Sequence, residues 1–120
     1  MADRNDEVQA LLPLPVATLH ILMAVSAEEL HGYAIMQEVE ARTSGSLRLS
    51  AGTLYRSIQR MLEQGLLVES RRRPAAAKDD PRRRYYRITP FGAEVARAEA
   101  ARLAELVRLA RRSGFAPGGG

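Results

Sequence analysis

The sequence of 120 residues contains no cysteine, no tryptophan and only two histidines. Without cysteine the chain can form neither a disulfide framework nor a thiolate metal cluster, and the isolated His20 and His31 cannot build a zinc site alone. We therefore expect no metal, no cofactor and a reducing, cytoplasmic location.

Long apolar runs are also missing. The amino terminus, Met1–Ala10, is polar and acidic, and the longest apolar stretch, Leu11–Val25, is interrupted by proline and polar residues. A signal peptide needs a basic start before its apolar core, and a membrane helix needs about 20 apolar residues. The sequence therefore favours neither export nor membrane insertion.

Catalytic signatures are absent from the sequence as well. It contains no paired carboxylates, no nucleophile with a matching base and no glycine-rich phosphate loop, because the closing glycines have the composition of a tail. An enzyme is the least expected class of protein.

Basic residues are present in number, and they are unevenly distributed. The whole chain has a net charge of +4, whereas Arg71–Arg87 holds eight basic residues and only two aspartates. Positive charge gathered in one segment indicates a polyanionic partner, since solubility alone would scatter it. A solvated charged loop is the alternative interpretation.

Hydrophobic periodicity predicts two helices in the first third of the chain. Pro15–Val25 is apolar on both sides, as in a buried central helix. Ser26–Leu30 is predicted to be a polar connection, and a second helix is expected over His31–Arg42. After the break that follows, we expect Leu47–Leu49 to be a short extended segment.

A third helix is predicted from Ser50, its N-cap residue, to Gln64, with Gly65 ending it in a left-handed conformation. Leu49 and Leu54 stand where a hydrophobic staple would fix the start of the helix. At about 100° per residue, one face is apolar and the other carries long polar side chains. The apolar face holds Leu54, Ile58, Met61 and Leu62, and the opposite face holds Gly52, Arg56, Gln59, Arg60 and Glu63.

Two short apolar segments on either side of the basic loop predict a two-stranded hairpin. In the second strand, Tyr86 and Ile88 should face one way and Tyr85 and Arg87 the other. We expect the tyrosines to pack across strands rather than stack on nucleic acid.

The last predicted helix begins at Thr89 and Pro90, a capping residue and a proline suited to the first helical position. It runs to about Arg112, which is longer than the core of so small a domain needs. Its apolar residues tend to one side, and they are Val95, Leu103, Leu106, Val107 and Ala110.

This order of elements is that of a winged helix-turn-helix: a mainly α fold with a small β-hairpin, extended by a long carboxy-terminal helix. In that plan the third helix enters the major groove of DNA. Arg56 and Arg60 could each bind guanine through two hydrogen bonds, and Gln59 could pair with adenine.

Other residues are expected to contact the DNA backbone. Ser50, Thr53 and Tyr55 lie where hydroxyl groups can bind phosphate and set the register. The arginines of the wing should add a salt-dependent affinity with little sequence information. They are Arg72, Arg73, Arg82, Arg83 and Arg84.

Four segments of the sequence resemble the PadR family of bacterial transcriptional regulators. They are His31-Gly32-Tyr33-Ala34-Ile35, Ser50-Ala51-Gly52-Thr53-Leu54-Tyr55, Leu62-Glu63-Gln64-Gly65-Leu66 and Arg83-Arg84-Tyr85-Tyr86-Arg87-Ile88-Thr89, the last followed by Gly92. Each motif is weak by itself, but all stand in the family's order and spacing. The chain looks like the short subfamily, whose members end in one carboxy-terminal helix.

The resemblance implies an amino-terminal arm over residues 1–13, a winged helix-turn-helix domain over 14–89, a dimerisation helix over 90–112 and a disordered tail over 113–120. It also implies a homodimer that represses transcription from a pseudo-palindromic operator, with dimer contacts at the five apolar residues of the last helix. Family members commonly release their DNA when a small hydrophobic effector binds, which is a further expectation. Some short members clamp flat drugs between tryptophans at the dimer centre. This property cannot be carried over, because this chain has no tryptophan.

Two other functions stay open at this point. A winged helix can serve protein interaction, although an apolar or acidic outer face would then be expected on the third helix. A DNA binder without sequence preference is the other alternative, which the ratio of operator to random-DNA affinity would separate from a specific regulator.

Overall fold

The computed structural model describes residues 3–70 and 83–115, which form five helices and three strands. The helices are α1 (Arg4–Gln9), α2 (Val16–Ala24), α3 (Gly32–Arg42), α4 (Ala51–Glu63) and α5 (Pro90–Arg112). The strands are β1 (Leu30–His31), β2 (Leu67–Ser70) and β3 (Tyr85–Ile88). The four longer helices were predicted from the sequence, with bounds that differ by about one residue.

The sheet has three antiparallel strands in the order β1-β3-β2, so the prediction of a two-stranded hairpin was incomplete. Leu30 pairs with Tyr86 and His31 with Tyr85, which places β1 on the free edge of β3. The predicted connection Ser26–Leu30 therefore ends in a strand. Two residues are too few to show the alternation of period two by which strands are recognised in a sequence.

The core lies between the helices and one face of this sheet. As predicted, α2 is its centre, with Ile21 and Leu22 fully buried on two sides of the helix. The core is completed by buried side chains from each neighbouring element, which include Ile35, Val39, Leu54, Ile58, Met61, Leu66, Tyr86 and Val95.

Two other segments show details that the sequence did not predict. Leu47–Leu49, expected to be a short extended segment, belongs to no helix or strand, and Leu49 is buried beside the start of α4. The segment expected to be an arm contains α1, which packs against α5. Arg4 lies 4.8 Å from the centre of the Phe91 ring and 2.8 Å from the Glu94 carboxylate, and Val8 is buried. Six residues are marginal as an isolated helix, so these contacts rather than helix propensity stabilise it.

The two halves of α5 have different surroundings. Gly92, Val95 and Glu99 in the first half are buried against the rest of the chain. No residue of α5 beyond Glu99 is buried, so the second half extends past the core.

Candidate nucleic-acid interface

The start of α4 is fixed as its sequence predicts. The Ser50 Oγ atom accepts a hydrogen bond of 3.1 Å from the backbone amide of Thr53, and Leu49 and Leu54 are buried beside it. The end is fixed by Gly65, whose φ of +76° is left-handed. The amide of Leu66 then donates to the Met61 carbonyl oxygen at 2.9 Å, a helix-ending hydrogen bond. Caps at both ends therefore fix where the helix begins and ends.

The two faces of α4 divide as the periodicity predicts. Leu54, Ile58 and Met61 are buried, and Leu62 is half-buried. The opposite face is exposed at all five predicted positions: Gly52, Arg56, Gln59, Arg60 and Glu63. The helix therefore presents a polar surface without cost to the core.

The arginines of this face differ from most others of the described chain, although Arg97, Arg111 and Arg112 of α5 likewise form no ion pair there. Seven other arginines form ion pairs with carboxylates: Arg4, Arg42, Arg48, Arg84, Arg87, Arg102 and Arg108. Within the described ranges, Arg56 and Arg60 form none. Their charge is available to an anion from outside the chain, because no carboxylate has to be displaced first.

The Arg56 side chain lies close to Gly52, the residue one turn before it. Its Nη1 atom is 3.3 Å from the point where a Cβ atom would stand on Gly52. Gln59 donates a hydrogen bond of 3.3 Å from Nε2 to Glu63, which leaves its amide oxygen as an acceptor. The exposed face thus offers both donors and acceptors.

Tyr55 lies at the edge of this face and is half-exposed. Its phenol contacts Gly32, the first residue of α3, where a side chain would overlap it. Tyr55 also lines a cavity of about 320 Å³ beside the base of the wing. The other lining residues are His31, Gly32, Tyr33, Arg83, Arg84 and Tyr86.

Only the base of the wing lies within the described residues. Arg83 and Arg84 are exposed there, whereas Arg72, Arg73 and Arg82 lie outside the described ranges. Arg83 Nη1 is 3.1 Å from His31 Nε2, and the Arg84 guanidinium is 3.8 Å from the Glu69 carboxylate. Arg83 therefore lies beside the start of α3, and Arg84 lies beside β2.

Tyr85 and Tyr86 are both buried, each with 6% of its surface exposed. Both pack within the protein, as expected of tyrosines in a strand. Tyr86 joins the core, where burial raises the pKa of its phenol and nearby Glu69 acts in the same direction. Tyr85 meets the edge of the His31 ring at 5.4 Å.

His31 has a structural role that the sequence predicted in part. Its Nδ1 atom accepts a hydrogen bond of 3.2 Å from the Ala34 amide, so it is the N-cap of α3, as a residue at a helix start should be. Its contacts with Tyr85 and Arg83 were not predicted. They depend on β1, which carries no recognisable sequence signal.

The five apolar residues predicted as dimer contacts have different environments. Val95 is fully buried within its own chain, so it cannot contact a partner and that prediction was wrong. Leu103 and Ala110 are half-buried, while Leu106 and Val107 are exposed. Leu103 and Val107 also line an apolar groove of about 500 Å³ between α2 and α5, together with Leu19 and Met23.

In residues 3–70 and 83–115, no helix combines the length and apolar character needed to cross a membrane. The same part of the chain has no cluster of three histidine, aspartate or glutamate side chains that could hold a metal ion.

Known proteins are similar to this chain in sequence and in fold. Transcriptional regulator Rv3488 of Mycobacterium tuberculosis is 37% identical over 90 residues, which cover 75% of this chain and 78% of that protein. A PadR family transcription regulator from Clostridium difficile has a similar structure, with a TM-score of 0.67 and 18% identity over 82% of this chain and 97% of the other.

Bacillus subtilis PadR in complex with operator DNA is a second structural relative. It matches with a TM-score of 0.58 and 16% identity over 72% of this chain and 47% of the other. The family model of the Transcriptional regulator PadR-like family matches residues 21–98, which span α3, α4, the sheet and the buried half of α5. The chain therefore belongs to the PadR-like family of transcriptional regulators.

Proposed function

We propose that this protein is a homodimeric repressor that binds a pseudo-palindromic DNA operator in a sequence-specific way. The observation that carries the proposal is the exposed face of α4, where Arg56 and Arg60 have no carboxylate partner in the described chain. An arginine that pairs with a carboxylate of its own chain must lose that partner before it binds DNA, which costs binding energy. For Arg56 and Arg60 this cost is small, because they have no such partner in the described chain. A regulator needs such a surface for a polyanion.

The amino-terminal half of α4 is best suited to read bases. In helix-turn-helix proteins the first turns of the recognition helix reach deepest into the major groove. Arg56, in the second turn, can donate two hydrogen bonds to guanine, and the free amide oxygen of Gln59 can accept one from adenine. Ser50, Thr53 and Tyr55 lie at the margin, where their hydroxyl groups reach the backbone.

The wing arginines add affinity that depends on salt. Arg83 and Arg84 belong to a basic segment that also includes Arg72, Arg73 and Arg82 in the sequence. Each contact with a phosphate releases counterions from DNA, so affinity should fall steeply as salt is raised. These contacts bind all DNA and do not distinguish operators.

The dimer is inferred from the half of α5 that its own chain does not cover. Leu103, Leu106, Val107 and Ala110 follow the spacing of a helical contact stripe, and none is fully buried. A second copy is the occupant that fits this stripe, since two-fold symmetry pairs an apolar patch with itself. The two copies of α4 would then lie about one DNA turn apart, which a pseudo-palindrome matches.

A small hydrophobic effector is the last part of the proposal. The groove between α2 and α5 is lined almost entirely by apolar side chains and adjoins the same stripe. An apolar compound bound there would alter how the two copies pack and so change the separation of the two α4 helices. Release of DNA would follow, because both half-sites must be engaged together.

The deciding experiment is fluorescence anisotropy of the protein on the DNA upstream of its own gene. Scrambled DNA of equal length, at the same near-physiological salt, is the control. We expect about a thousandfold preference for the upstream DNA, with two protomers bound per site. Equal affinity for the two DNAs would instead identify a DNA binder without sequence preference. No binding to either would point to a protein-interaction domain.

A further inference from the structure

A narrow cleft separates the amino-terminal end of α2 from one side of α4. It has a volume of about 240 Å³, and Arg56 and Arg60 of the exposed α4 face are among its lining residues. Its lining is polar and basic: Pro15, Thr18, Thr53, Arg56, Ser57 and Arg60. No carboxylate lines the cleft, so it suits an anion.

Thr18 is the most unusual residue of the cleft. Only 4% of its surface is exposed, yet its hydroxyl forms no hydrogen bond with the described part of the chain. A fully enclosed polar atom without a partner would be costly, and no enclosed side-chain nitrogen or oxygen in residues 3–70 and 83–115 lacks one. The Thr18 hydroxyl must therefore keep its access to the cleft, where it can donate to a bound group.

The end of α2 at this cleft is also without a side-chain cap. Its N-cap residue is Pro15, which has no polar side chain, whereas the other four described helices all have a capping side chain. The first hydrogen bond of the helix is donated by Leu19 to Pro15, so the amides of three earlier residues lie outside the helical pattern. Free amides and the helix dipole both favour a negative charge at this position.

The opposite wall adds two hydroxyl groups and the positive charges of Arg56 and Arg60. Thr53, Ser57 and Arg60 stand at a spacing of four and three residues, so they form one stripe along α4 that faces α2. Arg60 lies one turn beyond Arg56, towards the carboxy-terminal end of the helix. Since the amino-terminal residues of a recognition helix make the base contacts, we expect Arg60 to meet the DNA backbone.

We propose that this cleft binds a single phosphate group of the DNA backbone, with Thr18 donating a hydrogen bond and Arg60 supplying the charge. The inference rests on the proposed function and deepens it. Arg60 then positions the protein on DNA, whereas Arg56 reads bases, so the two arginines of one helix face have different tasks. Phosphate contacts of this kind fix the register in which a recognition helix meets the bases.

The first test compares variants on operator and on random DNA. Thr18→Val removes the hydroxyl at nearly constant volume and should weaken binding to both DNAs by about threefold to tenfold. Thr18→Ser keeps the hydroxyl and should restore binding. Arg60→Ala should weaken both DNAs by a common factor and reduce the slope of log affinity against log salt by about one.

The matched control is Arg112→Ala, which removes the same charge from the last residue of α5. It should leave the affinity for both DNAs within about twofold, because exposed charges beyond the Debye length are screened. Thermal unfolding of every variant identifies any loss that comes from misfolding. Selective loss of operator binding in Arg60→Ala would overturn the proposal, because that result belongs to base reading.

The second test locates the phosphate. Neutral methylphosphonate groups are placed one at a time along the operator backbone, and the loss of affinity is measured for the wild-type protein and for Thr18→Val. At one position in each half-site, the loss caused by the methylphosphonate and the loss caused by Thr18→Val should not add, because each change removes the same contact. Additive losses at every position, with normal operator binding, would overturn the phosphate site alone. A wild-type protein that binds no DNA would overturn the proposed function.

Inorganic phosphate provides the last arm of the experiment. The same chemistry is present in the free ion, but the cleft is proposed to bind phosphate only as part of DNA. Titration with inorganic phosphate at constant ionic strength should produce no saturable shift in the Thr18 amide signal by NMR. A saturable shift that Thr18→Val abolishes, without any position of non-additive loss on the operator, would instead identify a site for the free ion.

Discussion

The Glu99 carboxylate accepts two hydrogen bonds from the Arg102 guanidinium, at 2.6 Å from Nε and 3.0 Å from Nη2. Only 2% of the Glu99 surface is exposed, and its Oε2 atom also accepts a hydrogen bond of 3.2 Å from the amide of Leu14. One buried carboxylate thus joins the segment between α1 and α2 to the middle of α5. The hydrogen bonds from Arg102 lower the pKa of Glu99 below its ordinary value, and the Leu14 hydrogen bond acts in the same direction.

We expect Glu99→Gln to lower the free energy of unfolding by about 1–3 kcal/mol at pH 7, because charge-assisted hydrogen bonds are lost from a buried site. The folded pKa is lower than the unfolded one, so the stabilisation is complete above the unfolded pKa, near 4.5, and is lost as the pH falls through the folded value. The difference between wild type and variant should therefore shrink below about pH 4.5. Urea unfolding at several pH values measures it.

The control for this prediction is Glu105→Gln. Glu105 forms the same kind of pair with Arg108 at a spacing of three residues, but both side chains are more than half exposed. Its removal should change stability little at any pH. An equal effect of the two variants would show that burial of Glu99 does not matter.

Gly92→Ala should destabilise the fold by about 1–3 kcal/mol. A Cβ atom at Gly92 would overlap the backbone carbonyl oxygen of Leu66 and stand 3.1 Å from Ile88 Cγ1, and a backbone atom cannot move aside as a flexible side chain can. Gly52→Ala is the comparison, because its nearest neighbour is the end of the Arg56 side chain. It should fold with equal or greater stability, and a loss as large as that of Gly92→Ala would contradict this account.

Val107→Asp should produce monomers. Val107 is 40% exposed and lies in the proposed contact stripe, so the substitution places an unpaired charge in an apolar seam. Leu109→Asp alters a residue of similar exposure that lies about 200° away around the helix, and it should remain a dimer. Sedimentation velocity at micromolar concentration distinguishes the two species. A dimer in both variants would place the interface elsewhere.

Arg56→Ala should cost about 1–3 kcal/mol on the operator and little on random DNA, as expected for a residue that reads bases. Arg84→Ala, at the base of the wing, should weaken both DNAs by a similar factor. Anisotropy titrations at one salt concentration give the four affinities. If Arg56→Ala reduced both affinities equally, base reading by this residue would be excluded.

Several features of the candidate interface could be predicted because their signals are local. The Ser50 cap, the Gly65 stop and the division of α4 into an apolar and a polar face depend on residues within one helix. The start of α5 is equally local, since the Thr89 hydroxyl accepts the Gly92 amide at 2.9 Å. Caps and periodicity of this kind act over three or four residues, and the sequence displays them directly.

Other features depend on residues far apart in the chain. The strand β1 is two residues long and exists because β3 offers it a free edge. Val95 belongs to the apolar stripe of α5 by periodicity, but packing in the first half of the helix buries it. Periodicity specifies which face is apolar, and it does not say whether the chain itself or a partner covers that face.

The sequence by itself determined the order of elements, the residues of the exposed α4 face and the concentration of basic charge in one segment of the chain, because each follows from composition or short-range spacing. Only the tertiary structure decided that Arg56 and Arg60 have no carboxylate partner among the described residues and that Thr18 faces Arg60 across a cleft. Thr18 and Arg60 are about 40 positions apart in the sequence, and no local pattern encodes a contact that arises when two helices pack together.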